Sequence, residues 1–198
     1  GCFDESPGDN RTALFRIDVI EIPMHDPAKA RIISSPAVFA DPETGALAGL
    51  WRGGDHGDNT QETYRTDQCH DITVFPSLNI AAGACSGNGI LFDITDPRAP
   101  ERIDAVNDTG FAYWHSATFN NNGSKVLFTD EWGGGGRARC RAWDPLDWGA
   151  NAIYDIVDNI PDDFNLLITC STALSIPLLI SIGFIPAVTY FKPSFTID

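Results

Sequence analysis

Two stretches of this chain repeat at an offset of 45 residues. His70-Asp71-Ile72-Thr73-Val74-Phe75 is matched by His115-Ser116-Ala117-Thr118-Phe119-Asn120. Each is followed by a turn and a second short run, Leu78 to Ala82 and Lys125 to Thr129. Between them lies Ile90-Leu91-Phe92-Asp93-Ile94-Thr95-Asp96-Pro97, with relatives at Leu14-Phe15-Arg16-Ile17-Asp18-Val19 and Ile153-Tyr154-Asp155-Ile156-Val157-Asp158. A period of about 40 to 50 residues made of short strands is the pattern of propeller blades. The repeat predicts an all-β fold, a partial β-propeller of antiparallel blades. It directs the search for function to one face and a central channel.

The bulk numbers agree with such a fold and narrow its partners. The 198 residues suffice for one domain with a sizeable core. Its 18 glycines and 13 prolines, spread along the chain, suit many short strands and tight turns better than a helical bundle. A formal charge of -14 repels phosphate backbones, so nucleic acid is not an expected partner. No Walker loop, G-x-S-x-G or kinase signature is present. The chain opens on Gly1 rather than Met, which reads as a processed or excised piece of a longer product.

Three regions are expected: an N-terminal arm over 1–13, blade repeats over 14–163 and an apolar tail over 164–198. Strands are predicted at Leu14 to Ile22, Arg31 to Ile33, Asp71 to Phe75, Asn79 to Ala82, Gly89 to Ile94, Arg102 to Ala105, Ser116 to Phe119 and Lys125 to Thr129. Asp26-Pro27, Asp41-Pro42-Glu43-Thr44-Gly45 and Asn121-Asn122-Gly123 are turn signals. Two long polar loops follow Trp51 and Asp130. From Phe164 to Phe191, 28 residues carry no charge, a length that suits a membrane span. Pro177, Gly183 and Pro186 interrupt that stretch, and its Ile/Val/Leu/Thr runs suit buried or oligomer-interface strands instead. An aberrant chain end is the third reading, and all three stay open here.

The cysteines number five. Cys69 and Cys85 flank a hairpin centred near Ser77 and can face each other at its open end, as a disulfide or as buried thiols. Cys2 and Cys140 lie in polar, turn-rich surroundings, and Cys170 in an apolar run. Together they lean toward an oxidising compartment, extracellular or at the cell-envelope surface.

Leu91-Phe92-Asp93-Ile94-Thr95-Asp96-Pro97-Arg98-Ala99-Pro100, followed by a His-led strand and hairpin, resembles the LVIVD-repeat β-propellers. Asp93, Asp96, Pro97, Pro100 and His115 match that pattern in order; Asp18, Asp26 and Pro27 match with an insertion. The resemblance covers roughly residues 14 to 160. It implies an extracytoplasmic, surface-associated protein built of blades and leaves the activity open. The chain departs from a closed propeller, which needs about four blades or more, in offering about three incomplete ones. The opening Gly1-Cys2 and Leu14 to Val19 also resemble, more distantly, selenium-binding-type oxidases, propellers with channel histidines.

His70 and His115 hold equivalent repeat positions, so in a propeller they converge at the channel rim. With Asp71, Asp130 and Glu131 near strand ends they make a candidate N/O site for a divalent metal. The reading that repetition alone explains is that each imidazole bonds a carbonyl of the adjacent blade and holds the register. Asp55 and Asp58, around His56 and Gly57, form a weaker calcium-like loop without the closing glutamate. Trp51, His56, Trp132 and Trp143 lie in or beside the long loops and suit either a glycan-binding rim or packing over blade ends. The leading expectation is an extracytoplasmic binding or scaffold module for a protein or glycan at the cell surface. A metal-dependent oxidoreductase is the alternative, as is a structural protein that self-assembles into a homo-oligomer or anchors in a membrane through 164–191.

Overall fold

The computed structural model describes residues 12–53, 65–108, 113–131, 151–158 and 166–174. Short apolar runs broken by Pro, Asn and Gly become ten strands there, and no α-helix occurs among the described residues. In chain order they are β1 (Val19–Glu21), β2 (Arg31–Ser34), β3 (Asp71–Phe75), β4 (Ile80–Cys85) and β5 (Asn88–Asp93). Then follow β6 (Glu101–Val106), β7 (Trp114–Phe119), β8 (Lys125–Asp130), β9 (Asn151–Asp158) and β10 (Leu166–Leu174). They make two four-stranded antiparallel meanders, β3-β4-β5-β6 and β7-β8-β9-β10, and a two-stranded ribbon β1-β2. Neither meander closes on itself. Among the described residues no helix is long and apolar enough to cross a membrane. Within the apolar tail, β10 pairs antiparallel with β9.

Turn chemistry sets the strand ends. Asn79, at φ 53°, closes a single 3-10 turn over Pro76–Leu78 and returns the chain as β4. Gly123, at φ 71°, completes the β7–β8 hairpin, with its N–H donating to the Asn120 carbonyl. Left-handed backbone favours glycine, and here a side chain would also collide with Leu78 and Phe75 at 2.6–2.7 Å. The two hairpin tips therefore rest on each other. Asp41 folds the Asp-Pro-Glu-Thr-Gly turn by accepting from the Thr44 N–H, the Thr44 hydroxyl and the Glu43 N–H. Those bonds, Thr44's first, hold its carboxyl below the ordinary value. The Arg102 guanidinium donates to the neighbouring Ala40 carbonyl and so ties this turn to β6.

The repeat is written into the ladders. β1-β2, β5-β6 and β9-β10 each carry one register irregularity: at Val19/Ile20, at Leu91/Phe92, and opposite Ile153/Tyr154. Glu21, Asp93 and Asp155 stand two residues beyond its start in each. The structural counterpart of Asp93 is thus Glu21, three residues later than the expected match to Asp18. The strand expected from Leu14 is also shorter and begins at Val19. Phe15 takes a positive φ of 65°, donates its N–H to the Asp67 carbonyl and buries its ring, which breaks the extended run.

Both faces of β4 and β5 are covered, which accounts for their unbroken small and apolar sequence. Ala81, Cys85, Ile90 and Phe92 pack under Phe15, Val38, Phe39 and Leu47 of the N-terminal segment. Ile80, Ala82, Ala84 and Leu91 on the opposite face meet Trp114, Ala117, Val126, Phe128, Ala152 and Tyr154 of the second meander. Gly89 makes that contact close: a Cβ there would lie 2.8 Å from the Phe128 ring and 2.9 Å from Trp114. Cys69 and Cys85 have their Sγ atoms 2.02 Å apart, a disulfide. Since Asp71 lies opposite Ala84, the hairpin centre falls half a residue later than Ser77, and the bridge runs diagonally.

Phe128→Ala opens a void between the meanders and is expected to lower unfolding free energy in urea by about 3–5 kcal/mol. Thr118→Ala, on an exposed position of β7, should stay within about 0.5 kcal/mol. Reduction of Cys69–Cys85 should lower the stability measured the same way by about 2–4 kcal/mol, through the freed loop of the unfolded chain.

Candidate functional site

The first strands of the two meanders, β3 and β7, lie side by side, and their leading ends carry the repeated histidines. His70 immediately precedes β3. Its N–H donates to the Ala84 carbonyl at 2.8 Å, and its neighbour Cys69 is bridged to Cys85. The backbone that carries the imidazole is thereby held from two sides.

His115 is placed by a different device. Trp114 pairs with Asp130 and Ser116 with Thr129, so His115 is an extra residue on β7, a β-bulge. Bulges re-aim a side chain out of the strand's alternation. The bulge is fastened on one side by Ser116, whose N–H and hydroxyl both meet the Thr129 hydroxyl, at 3.2 and 2.8 Å. On the other, the Tyr113 N–H donates to Asp130 Oδ1, while the Glu131 N–H donates to the Tyr113 carbonyl, both at 2.8 Å. That reciprocal clamp carries the Glu131 side chain to His115.

The result is a grouping of His70, His115 and Glu131 in which one ligand atom from each lies within 4.8 Å of the others. The imidazole centroids are 4.1 Å apart at an interplanar angle of 45°. His115 Nε2 stands 3.7 Å from Glu131 Oε2. Tyr113 meets His70 edge-on at 6.1 Å between centroids. His70 is exposed, and the other two are half-buried. The two nitrogens and the carboxylate oxygen can coordinate a borderline metal ion; alternatively an imidazole N–H can donate to an anionic ligand and the carboxylate can accept from a hydroxyl.

Three of the five residues expected at a metal site are therefore together, and two serve elsewhere. Asp71 Oδ2 accepts the Ala117 N–H across the meander boundary at 3.4 Å, and Asp130 holds Tyr113. Their carboxylates lock the strands that present His70 and His115. Trp51 is half-buried, at the same end of the first meander. Its carbonyl accepts from the buried Asn88 amide at 2.5 Å and from the Thr66 hydroxyl at 2.9 Å, which ties its backbone to the β4–β5 turn. Asp55, His56, Asp58, Trp132 and Trp143 lie outside the described residues. Tyr113 was not anticipated; its one sequence signal is its place two residues before the repeated His115.

Asp71→Ala removes the link to β7 without touching the imidazoles, and should cost about 0.5–1.5 kcal/mol in urea denaturation. Asp71→Asn, whose amide oxygen can still accept, should recover part of that loss.

No family model, curated protein or solved structure matches this chain.

Proposed function

We propose that the chain is part of an extracytoplasmic β-propeller that acts as a non-catalytic binding or scaffold module, with its partner held at the His70 end of β3 and β7. The observation that carries this reading is the side-by-side placement of those two strands as the first strands of successive meanders. Adjacent blades around a common channel have that relation, and residues at equivalent ends of their first strands form its rim. The Asp-Pro turns between the outer strands, the repeated register irregularity and the resemblance to LVIVD repeats support the same architecture. The disulfide fits an oxidising location, and the net charge of -14 fits a soluble surface protein that avoids polyanions.

At this rim His70, Tyr113, His115 and Glu131 combine flat, half-exposed rings with a carboxylate. Such a mixture suits a polar partner, a surface glycan or a protein segment: rings supply contact area with few torsions to freeze, and the carboxylate orders hydroxyl or amide donors. A metal-dependent oxidoreductase is the second reading, favoured by the proximity of His70, His115 and Glu131 alone.

The test is binding of the purified chain to isolated cell-envelope polysaccharide and to immobilised envelope proteins. Saturable binding is expected, weakened about tenfold or more by Tyr113→Ala, a loss near the 1.4 kcal/mol that defines tenfold, at an unchanged melting temperature. Absence of saturable binding to every envelope fraction, or binding indifferent to Tyr113, contradicts the module reading.

A further inference from the structure

The imidazole pair has a geometry that a register role does not require. An imidazole that only holds register needs a carbonyl of the adjacent strand. Here the two rings turn to each other, 4.1 Å between centroids, with a carboxylate oxygen 3.7 Å from one of them. We propose that His70, His115 and Glu131 are the protein ligands of a divalent first-row transition-metal ion, of the zinc or copper class, with the remaining coordination positions open to solvent. The proposal shares the rim with the binding module but does not depend on it, since an ion can be held whether or not a partner docks.

Coordination distances fit with side-chain adjustment alone. Zinc holds imidazole nitrogen and carboxylate oxygen at about 2.0–2.2 Å, which puts tetrahedral ligands roughly 3.3–3.6 Å apart. The His115–Glu131 separation of 3.7 Å already lies near that range. The outer limit of 4.8 Å for the three closes by rotation of side chains that are exposed or half-buried.

The backbone that presents the ligands is fixed in advance. His70 follows the bridged Cys69, His115 sits on a bulge, and Glu131 is bound through its N–H to the Tyr113 carbonyl. Three separate elements deliver one donor each, so little chain has to be ordered when the ion arrives.

The donor set also selects. Two imidazoles with one carboxylate suit zinc, copper, nickel or cobalt, and follow the order in which copper exceeds zinc and both exceed manganese. Calcium, which takes about six to eight oxygens, gains nothing from the imidazoles. Because His70 is exposed, the outer side of the ion stays accessible to water or to a donor atom from a second molecule.

The test is calorimetric titration of tag-free, chelator-treated protein with zinc chloride, paralleled by cobalt chloride with visible spectroscopy. A single saturating equivalent is expected for zinc, with a cobalt absorption band in the visible and no heat from calcium chloride. His70→Ala, His115→Ala and Glu131→Gln should each weaken zinc by at least about tenfold, while His25→Ala, at an exposed position in the β1–β2 connection, leaves it unchanged. Metal-free melting curves show which variants are folded; if His115→Ala is not, the exposed His70→Gln carries the comparison. No saturable zinc binding by the wild type overturns the proposal, as does binding indifferent to His70 or abolished by His25→Ala. Partner binding that survives while metal binding fails would leave the module reading intact.

Discussion

The contact on which the described structure depends is the seating of Trp114 and Phe128 against the small-residue face of the first meander. Ala82, Ala84 and Gly89 leave no side-chain bulk there, and the two rings, T-shaped to each other at 4.9 Å, fill the space. Sheets packed through ordinary aliphatic side chains stand about 10 Å apart; aromatic rings against alanine and glycine allow a close, specific fit instead. Register on both sheets is fixed by this arrangement, because a slip of one residue would turn Phe128 outward and bring Leu127 in. Lys125 and Asp155, paired across β8 and β9, add a charged clasp beside the same layer.

From that seat the candidate site follows. Trp114 anchors the start of β7 in the core, and its N–H donates to the Ser86 carbonyl at the β4–β5 turn. The next residue is His115, which the bulge turns away from the core toward His70. A disulfide behind one imidazole and a buried tryptophan beside the other hold the backbone under the two rings. The acidic residues divide their labour: Asp71 and Asp130 each give an oxygen to a backbone N–H, and Glu131 turns its carboxylate to His115.

The architecture was legible where one residue type serves one mechanical need. Asp-Pro marks the β1–β2 and β5–β6 connections, Asn-Asn-Gly turns the β7–β8 hairpin, and the 45-residue offset aligns β3 with β7. The convergence of His70 with His115 followed from the repeat alone. What sequence could not separate was the role of neighbouring carboxylates, since Asp71, Asp130 and Glu131 look alike until backbone partners are assigned. The start of β1 was hidden for a related reason. Leu14 to Ile22 alternates like a strand, but Phe15 buries its ring in the cluster that holds Phe92 and takes a left-handed backbone there. The knot of Asn88, Thr66 and the Trp51 carbonyl joins positions up to 37 residues apart and leaves no local pattern.

The central claim is that packing of the two meanders brings repeat-equivalent histidines together. Proton NMR of the imidazole rings tests it directly, with His70 and His115 signals assigned by single substitutions among the four histidines. At 4.1 Å between centroids, the account predicts a strong nuclear Overhauser cross-peak between His70 and His115 ring protons in the folded protein, lost in urea. A folded protein in which both rings are assigned and no cross-peak joins them would contradict it.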